Sequence, residues 1–373
     1  MEKEVTDAWL EKHIMKCVKK LEDMLPKFEG HFPSACTTNM HYRVKNNDDW
    51  TNGFWTGLLW QAYEITGNSL FENEAKQQLK SFRKRLDQNY ILNHHDIGFL
   101  YSLSAYAGYR IEKSEEYSQL VIDAAQLLMG RFTKKGRFIQ AWGDLDDPKE
   151  YRLIIDSLLN LPLLFEATEL SGDQAYSQIG KQHYHNVVNN IIRKDYSTYH
   201  TFYFNRQDGT PLKGATHQGF SDESCWARGQ AWILLGMPLY HRFFKIEDES
   251  NIYKRLLEYY EAHLPNDNIP YWDLIFSEKD GEPRDSSAAA IVACGLIEAQ
   301  KQGMINDGVD KAQKIIYQLG EHYETKQGEE GLLQHGVYAY GENKGVDEAN
   351  LWGDYFYLEA LLRLSNPTWK TYW

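Results

Sequence analysis

The hydrophobic pattern of the chain alternates between two kinds of helical segment. One kind is apolar around most of its circumference, as in residues 55–65, 97–111 and 286–297. The other kind follows a short polar or glycine turn and is apolar on one face only, as in residues 70–82 and 312–319. A helix that is apolar on all sides is buried, whereas an amphipathic helix covers a core from outside. Each pair therefore predicts a helical hairpin with an inner and an outer helix.

The hairpin recurs about six times at intervals of roughly 45–75 residues, and repeats of this size indicate an array or a closed ring. The last apolar run, 355–364, has only the N-terminal amphipathic segment, 5–25, as a partner, which favours closure. We therefore predict an all-α fold, an (α/α)6 barrel built as a six-hairpin toroid. Because no Pro/Gly/Ser-rich linker interrupts the chain, we expect a single domain over residues 1–373. An open α-solenoid is the alternative that the repeat leaves open.

The predicted ring indicates where chemistry would concentrate. Its inner helices all run in one direction, so their N-termini open onto one end, where partial positive charge and free N–H groups can hold an anion. The segments before these helices are rich in polar and aromatic residues: 46–50, 94–96, 140–142, 226–228, 284–287 and 352–354. Asp285 and Asp354 are predicted to be N-caps. For Asp96, which follows two histidines, an N-cap and a functional role are both open.

Asp156 is a single carboxylate inside a long apolar run, residues 152–165. A carboxylate removed from water is costly unless it is paired, hydrogen-bonded or protonated. Burial also raises its pKa, which suits a group that gives and takes a proton near neutral pH. The residues alone leave open a carboxylate satisfied by local hydrogen bonds or facing solvent at a helix start.

Composition excludes several classes of partner. The net charge of −13 argues against nucleic acid. The N-terminus lacks the pattern of a signal peptide, and no apolar stretch reaches the about twenty residues of a membrane span, so we expect no membrane partner. The four cysteines, Cys17, Cys36, Cys225 and Cys294, have no metal-ligand spacing and fit reduced thiols in the cytoplasm. An aromatic content of 14% suits a sugar-binding cleft, although cores also use aromatic residues.

Ten segments, in order along nearly the whole chain, resemble the unsaturated glucuronyl hydrolases, glycoside hydrolase family 88. They are 49–55 (DWTNGFW), 94–102 (HHDIGFLYS), 139–142 (IQAW), 152–156 (RLIID), 197–204 (STYHTFYF), 216–219 (THQG), 226–232 (WARGQAW), 271–273 (YWD), 284–287 (RDSS) and 352–361 (WGDYFYLEAL). The unsaturated rhamnogalacturonyl hydrolases, which share the fold and a similar mechanism, match these motifs less well and stay the alternative.

The resemblance implies an (α/α)6 barrel and a glycosidase. Its substrates would be lyase-generated glycosaminoglycan oligosaccharides of the hyaluronan or chondroitin type, ending in a 4,5-unsaturated glucuronic acid. Members of the family hydrate the C4=C5 double bond of that sugar, and the resulting hemiketal opens and releases the neighbouring sugar. The resemblance implies no metal and no organic cofactor. We expect a cytoplasmic monomer or homodimer.

The resemblance also implies roles for individual residues. Asp156 would protonate C4 and then act as base toward the water that attacks C5, while Asp96 would orient the sugar and raise the pKa of Asp156. Arg228 is the expected partner of the uronic carboxylate, because its guanidinium fork matches carboxylate geometry. A structural role for His200 in a strand-like segment stays open. The predicted substrate-binding residues are Trp50, His95, Trp142, His200, His217, Gln218, Trp226, Arg228, Trp232 and Lys344.

Two departures from the family pattern concern sulfated substrates. Streptococcal members carry an Arg where this chain has His217, and a Ser-rich stretch before the Lys that matches Lys344. Here the stretch is 339–344 (AYGENK), in which Glu342 would repel sulfate while Lys344 would attract it. We therefore expect unsulfated substrates, or mixed tolerance, rather than a strong preference for sulfated disaccharides.

Three other functions fit the same ring. An inverting glycosidase would need two carboxylates on either side of the scissile bond with a water between them. A sugar epimerase would need a histidine pair, for which His94 and His95 are the candidates. A non-enzymatic sugar-binding or scaffold protein would tolerate Asp156→Asn.

Overall fold

The chain forms a ring of helical hairpins in a computed structural model that describes residues 5–373. The α-helices are α1 (Asp7–Met24), α2 (Asn52–Thr66), α3 (Ser69–Asp87), α4 (Ile97–Tyr101), α5 (Ala107–Glu112), α6 (Glu115–Met129), α7 (Leu161–Ser171), α8 (Gln174–Ile191), α9 (Ala227–Phe243), α10 (Glu249–Ala262), α11 (Ser286–Lys301), α12 (Gly308–His322) and α13 (Leu351–Ser365). A π-helical turn, Ser102–Tyr106, joins α4 to α5 into one rod.

The ring is closed, as an (α/α)6 barrel requires. Each inner helix contacts the next, in the order α2, the α4–α5 rod, α7 with its preceding turn, α9, α11 and α13. The last inner helix, α13, contacts both the first inner helix, α2, and the N-terminal helix, α1. This contact confirms the predicted closure and excludes the open solenoid.

Burial explains why the two kinds of segment take different places. Every residue of α11 from Ser286 to Ala299 is buried, so this helix packs on all sides. In contrast, α12 buries Ala312, Ile315, Ile316 and Leu319, which lie three or four positions apart and form one face. The inner helices therefore form the core, and the outer helices shield it from solvent.

Two of the hairpins have the same type of turn between their inner and outer helices. Gly67 and Gly172 follow α2 and α7 with left-handed φ values of 66° and 78°, a conformation that glycine adopts without a steric penalty. Asn68 and Asp173 come next and cap α3 and α8 by accepting backbone hydrogen bonds from Leu70 and Ala175. The glycine thus ends the inner helix one residue before the outer helix is capped.

Short antiparallel strands lie between the hairpins. Three pairs are β1 (Phe32–Pro33) with β2 (Val44–Lys45), β3 (Phe132–Thr133) with β4 (Phe138–Ile139), and β8 (Gly336–Ala339) with β9 (Lys344–Glu348). A three-stranded sheet has β6 (Thr201–Phe204) between β5 (Arg152–Ile154) and β7 (Pro211–Ala215). The loops that carry them follow outer helices and precede inner ones. They therefore lie at the end of the ring where the inner helices begin.

The opposite end of the barrel axis is filled by the last residues of the chain. Trp373 is 1% exposed and stacks on Phe356 with ring centroids 5.6 Å apart. Its Nε1 donates a hydrogen bond of 2.9 Å to Glu359 Oε2. Its ring also meets Phe99, an α4 residue whose ring contacts Trp50 and Trp232. Packing is thus continuous along the axis of the ring.

One of the two predicted N-caps is confirmed and the other is wrong. Asp285 caps α11 by accepting from the backbone N–H of Ser287. Asp354 lies inside α13, whose cap is Asn350, and accepts from the backbone N–H groups of Leu332 and Leu333. Asp354 therefore ties a loop to the helix, which local sequence does not reveal.

We searched the helices for a possible membrane span. Among residues 5–373, no helix has both the length and the apolar character needed to cross a bilayer.

Candidate active site

A cavity of 280 Å³ opens at the end of the ring where the inner helices begin. Eleven of the twelve predicted site residues line it, the exception being His95. The full lining is Trp50, Asp96, Trp142, Asp156, His200, His217, Gln218, Trp226, Arg228, Trp232, Tyr338, Ala339, Glu342 and Lys344. Residues from distant parts of the chain thus meet at one place, as the shared direction of the inner helices predicts.

The two predicted catalytic carboxylates face each other across a buried histidine. His95 Nε2 lies 3.3 Å from Asp96 Oδ1 and 3.4 Å from Asp156 Oδ1. The Asp96 and Asp156 side chains keep 13% and 18% of their surface exposed, whereas His95 is fully buried. We expected His95 to bind substrate, but its position behind the carboxylates gives it no direct access to the cavity.

The surroundings shift the pKa values of the two carboxyl groups in opposite directions. Burial first, and then the charge of Asp96, raises the pKa of Asp156 well above its ordinary value. Burial also disfavours ionisation of Asp96, but the imidazoles of His95 and His94 outweigh it and lower the pKa of Asp96. Burial lowers the pKa of His95 to about 4, which keeps this imidazole neutral at pH 7. The surroundings therefore favour the protonated form of Asp156 and the ionised form of Asp96.

A buried hydrogen-bond chain fixes the turn that carries Asp156. Strand β5 ends at Ile154 and leads into a 3₁₀ turn, Ile155–Asn160. Inside that turn the Ser157 hydroxyl donates to the Ile154 carbonyl, and His183 Nε2 lies 2.7 Å from the same hydroxyl. His183 Nδ1 accepts from the Ile139 backbone N–H, so its proton must be on Nε2, which donates to Ser157.

Asp96 is brought to the cavity by a backbone contact. His95 donates a backbone hydrogen bond of 2.6 Å to the Ala141 carbonyl, and His94 forms an isolated bridge with Trp142. Asp96 then occupies the N-cap position of α4 without capping it. Of the two interpretations of Asp96, the structure thus favours a carboxylate directed to the cavity.

His200 is held as a neutral hydrogen-bond donor. Its Nδ1 accepts from the backbone N–H groups of His217 and Gln218, at 3.0 and 3.1 Å. Burial lowers the pKa of His200 well below its ordinary value, so the remaining proton lies on Nε2. The His200 ring packs against Trp226 with centroids 4.3 Å apart.

Both terminal nitrogens of Arg228 donate hydrogen bonds to other residues of the protein. One binds Asp285 at 2.9 Å and the Val337 carbonyl, and the other binds Gln218 Oε1 at 2.9 Å and the Tyr338 carbonyl at 2.7 Å. Four acceptors use the four N–H groups of these nitrogens. The bidentate pairing with a substrate carboxylate that the sequence suggested is thus unavailable in this arrangement. Arg228 instead anchors Gln218, whose amide nitrogen is left to donate.

Aromatic side chains form the walls of the cavity. Trp50 is fixed by a 2.8 Å hydrogen bond from its Nε1 to the Tyr338 hydroxyl and stacks on Trp352. On another wall, the guanidinium of Arg152 lies 4.6 Å from the centroid of Trp142. These rings are held rigidly and present flat apolar faces to the cavity.

The mouth of the cavity carries charge of both signs. Glu342 Oε1 lies 3.9 Å from His217 Nε2, and both side chains are about half exposed. Lys344 Nζ sits 3.9 Å from the centroid of Tyr338. A substrate group that leaves the cavity therefore passes a carboxylate and an ammonium.

His95, Asp96 and Asp156 also form a group that could hold a cation. One ligand atom from each lies within 4.8 Å of the others. The imidazole of His95 and the carboxylate of Asp96 are suitable ligands, whereas a protonated Asp156 would offer only a carbonyl oxygen. Because burial favours the protonated form of Asp156, the donor set is less suited to a divalent metal than three ionised or neutral ligands would be.

Sequence reasoning missed some members of the site. Tyr338 lines the cavity from strand β8, which in the sequence lies outside the segments that directly precede the inner helices. His183 belongs to outer helix α8 and would have required knowledge of tertiary contacts. Ala339 likewise lines the cavity without a chemical signal of its own.

Comparisons with known proteins agree with this geometry. A family model described as Glycosyl Hydrolase Family 88 matches residues 24–363. A Streptococcus pneumoniae protein named unsaturated chondroitin disaccharide hydrolase is 45% identical over 371 residues, covering 96% of this chain and 92% of that protein.

Solved structures give the same result. The crystal structure of unsaturated glucuronyl hydrolase from Streptococcus agalactiae is similar with a TM-score of 0.96 and 43% identity, covering 100% of this chain and 95% of that one. A mutant of the S. agalactiae enzyme complexed with dGlcA-GalNAc6S has a TM-score of 0.89 and 40% identity, with the same coverage.

Proposed function

The chain belongs to glycoside hydrolase family 88, and from this premise we propose that it is an unsaturated glucuronyl hydrolase. Its substrates are lyase-generated glycosaminoglycan oligosaccharides of the hyaluronan or chondroitin type. It removes the 4,5-unsaturated glucuronic acid at their non-reducing end by hydrating the C4=C5 double bond. The names of its relatives support this function rather than that of a rhamnogalacturonyl hydrolase.

The proposal rests on the opposite pKa shifts of the two carboxyl groups, which their surroundings cause. A pair of titratable groups whose pKa values are driven apart identifies an acid and its ionised neighbour. Here the raised pKa of Asp156 makes it the proton donor, and the lowered pKa of Asp96 keeps its charge. Protonation of an alkene carbon needs such an acid beside a negative charge that stabilises the developing cation.

The mechanism follows from these protonation states. Protonated Asp156 delivers its proton to C4, and positive charge develops at C5 and the ring oxygen, near ionised Asp96. The Asp156 carboxylate then takes a proton from a water molecule while the oxygen of that water bonds to C5. One water is added and the acid is regenerated, so no cofactor is consumed. The product is a C5 hemiketal, which opens and releases the neighbouring sugar.

Binding is assigned to the cavity walls. Trp50, Trp142, Trp226 and Trp232 enclose the sugar ring and exclude water. His200 Nε2 and the Gln218 amide donate hydrogen bonds to the uronic carboxylate or the hydroxyls. Arg228 acts by its charge and by anchoring Gln218, while His95 positions the two carboxylates. His217 and Lys344 contact the sugar that follows.

Product analysis in deuterated water tests the reaction. An unsaturated hyaluronan or chondroitin disaccharide should lose its ultraviolet alkene absorbance as the second sugar is released, and deuterium should appear at C4. Direct hydrolysis at the anomeric carbon, as in an inverting glycosidase, would release the second sugar with the alkene initially intact. That result would refute the hydration mechanism.

We further propose that sulfate on the second sugar is not required, so that unsulfated substrates are turned over or both kinds are tolerated. Glu342 at the mouth opposes Lys344, so the local field offers a sulfate little net attraction. Unsulfated disaccharide should therefore be turned over at least as well as its 6-sulfated form, and Glu342→Gln should improve only the sulfated one. A strong preference of the unmodified protein for the sulfated disaccharide would contradict this assignment.

We propose a cytoplasmic location and one catalytic domain acting as a monomer or homodimer. The four cysteines are all free and buried, which suits a reducing compartment. Light scattering of the purified chain measures the oligomeric state.

A further inference from the structure

An aromatic cluster with two exposed rings lies beside the mouth of the cavity. Phe220 is 57% exposed and Tyr340 is 38% exposed. Between them, Trp272 stacks on Tyr340 with centroids 4.3 Å apart, and Phe276 lies 5.4 Å from Trp272 and 5.1 Å from Phe220. We call Phe220, Trp272, Phe276 and Tyr340 the aromatic rim. Trp272 is only 2% exposed and supports the two outer rings of Phe220 and Tyr340. Neighbouring exposed apolar rings, unlike a single one, indicate a binding surface.

The aromatic rim is continuous with the cavity. Tyr340 directly follows Ala339 and precedes Glu342 by two residues, and both of these residues line the cavity. Phe220 follows Gln218, another lining residue, by two residues. Behind the rim, Ala227, at the start of α9, donates a backbone hydrogen bond of 3.1 Å to the Trp272 carbonyl. A ligand that leaves the cavity past Gln218 or Glu342 therefore meets these rings next.

The rings are held by buried polar contacts. Asp273, which is fully buried, accepts a 2.9 Å hydrogen bond from the Phe220 backbone N–H and a 2.7 Å bond from the Ser224 hydroxyl. Trp272 Nε1 donates a 2.8 Å bond to Glu282 Oε2. The loops are thus fixed while the Phe220 ring stays open to solvent, so the binding surface is preorganised.

The size of the cavity indicates what the rim binds. At 280 Å³ it is slightly smaller than the roughly 300–1,000 Å³ typical of small-molecule pockets, so only the terminal sugars fit inside. The later sugars of a longer substrate must lie outside the mouth. Rings with exposed flat faces suit the apolar faces of sugars.

We propose that the aromatic rim is a distal subsite for oligosaccharides longer than a disaccharide, in which sugars beyond the second stack on Phe220 and Tyr340. This inference rests on the proposed function and adds a preference for chain length. The rim would raise the specificity for a tetrasaccharide over a disaccharide, because only the longer chain reaches it.

The test compares kcat/KM for an unsaturated tetrasaccharide and the matching unsaturated disaccharide, followed by loss of alkene absorbance. In Phe220→Ala and Tyr340→Ala, the ratio of tetrasaccharide to disaccharide should fall by about 3- to 10-fold, the value of one aromatic stacking contact. Phe220→Trp should keep the ratio. The matched control is Leu70→Ala, which removes a 56% exposed apolar side chain at the other end of the ring and should change neither substrate.

An unchanged ratio in both alanine variants would overturn the subsite while leaving the proposed function intact. Loss of a self-associated form in Phe220→Ala, with the ratio unchanged, would assign the rim to contact between copies and would also overturn it. If the unmodified protein removes the alkene from neither substrate, the proposed function fails and this inference fails with it.

Discussion

The buried pair of Arg228 and Asp285 should determine whether the cavity folds correctly. The two side chains are 2% and 0% exposed, and the guanidinium lies 2.9 Å from the carboxylate. Asp285→Asn removes the negative charge but keeps a side-chain oxygen that can still cap α11. Breaking a buried pair in this way costs about 3–5 kcal/mol of unfolding free energy. Asp285→Ala also removes the cap and should cost about 1 kcal/mol more.

Equilibrium urea unfolding, monitored by circular dichroism and checked for reversibility, measures these costs. The double variant Arg228→Met, Asp285→Asn removes the uncompensated charge as well and should be more stable than Asp285→Asn alone. Breaking a buried pair is expected to cost about 3–5 kcal/mol. A cost below about 1 kcal/mol for Asp285→Asn would show that Arg228 does not depend on the charge of Asp285. A double variant less stable than Asp285→Asn would show the same.

Three further predictions concern the acid, the barrel axis and metals. In Asp96→Asn the pKa of Asp156 should fall because a neighbouring negative charge is lost. The alkaline limb of the kcat/KM profile should therefore move to lower pH. No movement, or movement to higher pH, would contradict the assignment of Asp156 as the acid. Trp373→Ala should lower the unfolding free energy by about 3–5 kcal/mol in urea titrations, and a near-neutral effect would show that its ring does not hold the core together. Dialysis against a chelator should leave the rate of alkene loss unchanged, and a loss restored by a divalent cation would show that the group of His95, Asp96 and Asp156 holds a metal.

The architecture was predictable because its signal is repeated. Each inner helix is apolar on all sides and each outer helix on one, so a few misjudged residues leave the hairpin pattern intact. The position of the cavity then followed from the common direction of the inner helices. For this reason residues as far apart as Trp50 and Arg228 could be assigned to one end of the ring, whereas Lys344 was assigned only by the family resemblance.

What sequence could not supply were the contacts made across the ring. Asp354 appeared to be a cap but binds the backbone of a loop, and Arg228 appeared free for substrate but is occupied by four protein acceptors. The burial of His95 likewise depends on packing behind two carboxylates. Such partners lie tens to hundreds of residues away, where periodicity and capping rules carry no information.

In the proposed mechanism Asp156 supplies the proton that hydrates the double bond. The most direct test is the rate of alkene loss from an unsaturated disaccharide by Asp156→Asn, with circular dichroism showing an intact fold. General acid–base catalysis contributes about 10²–10⁴-fold, so the rate should fall by at least that factor. An Asp156→Asn variant that folds normally and still removes the alkene at close to the original rate would show that Asp156 is not the proton donor.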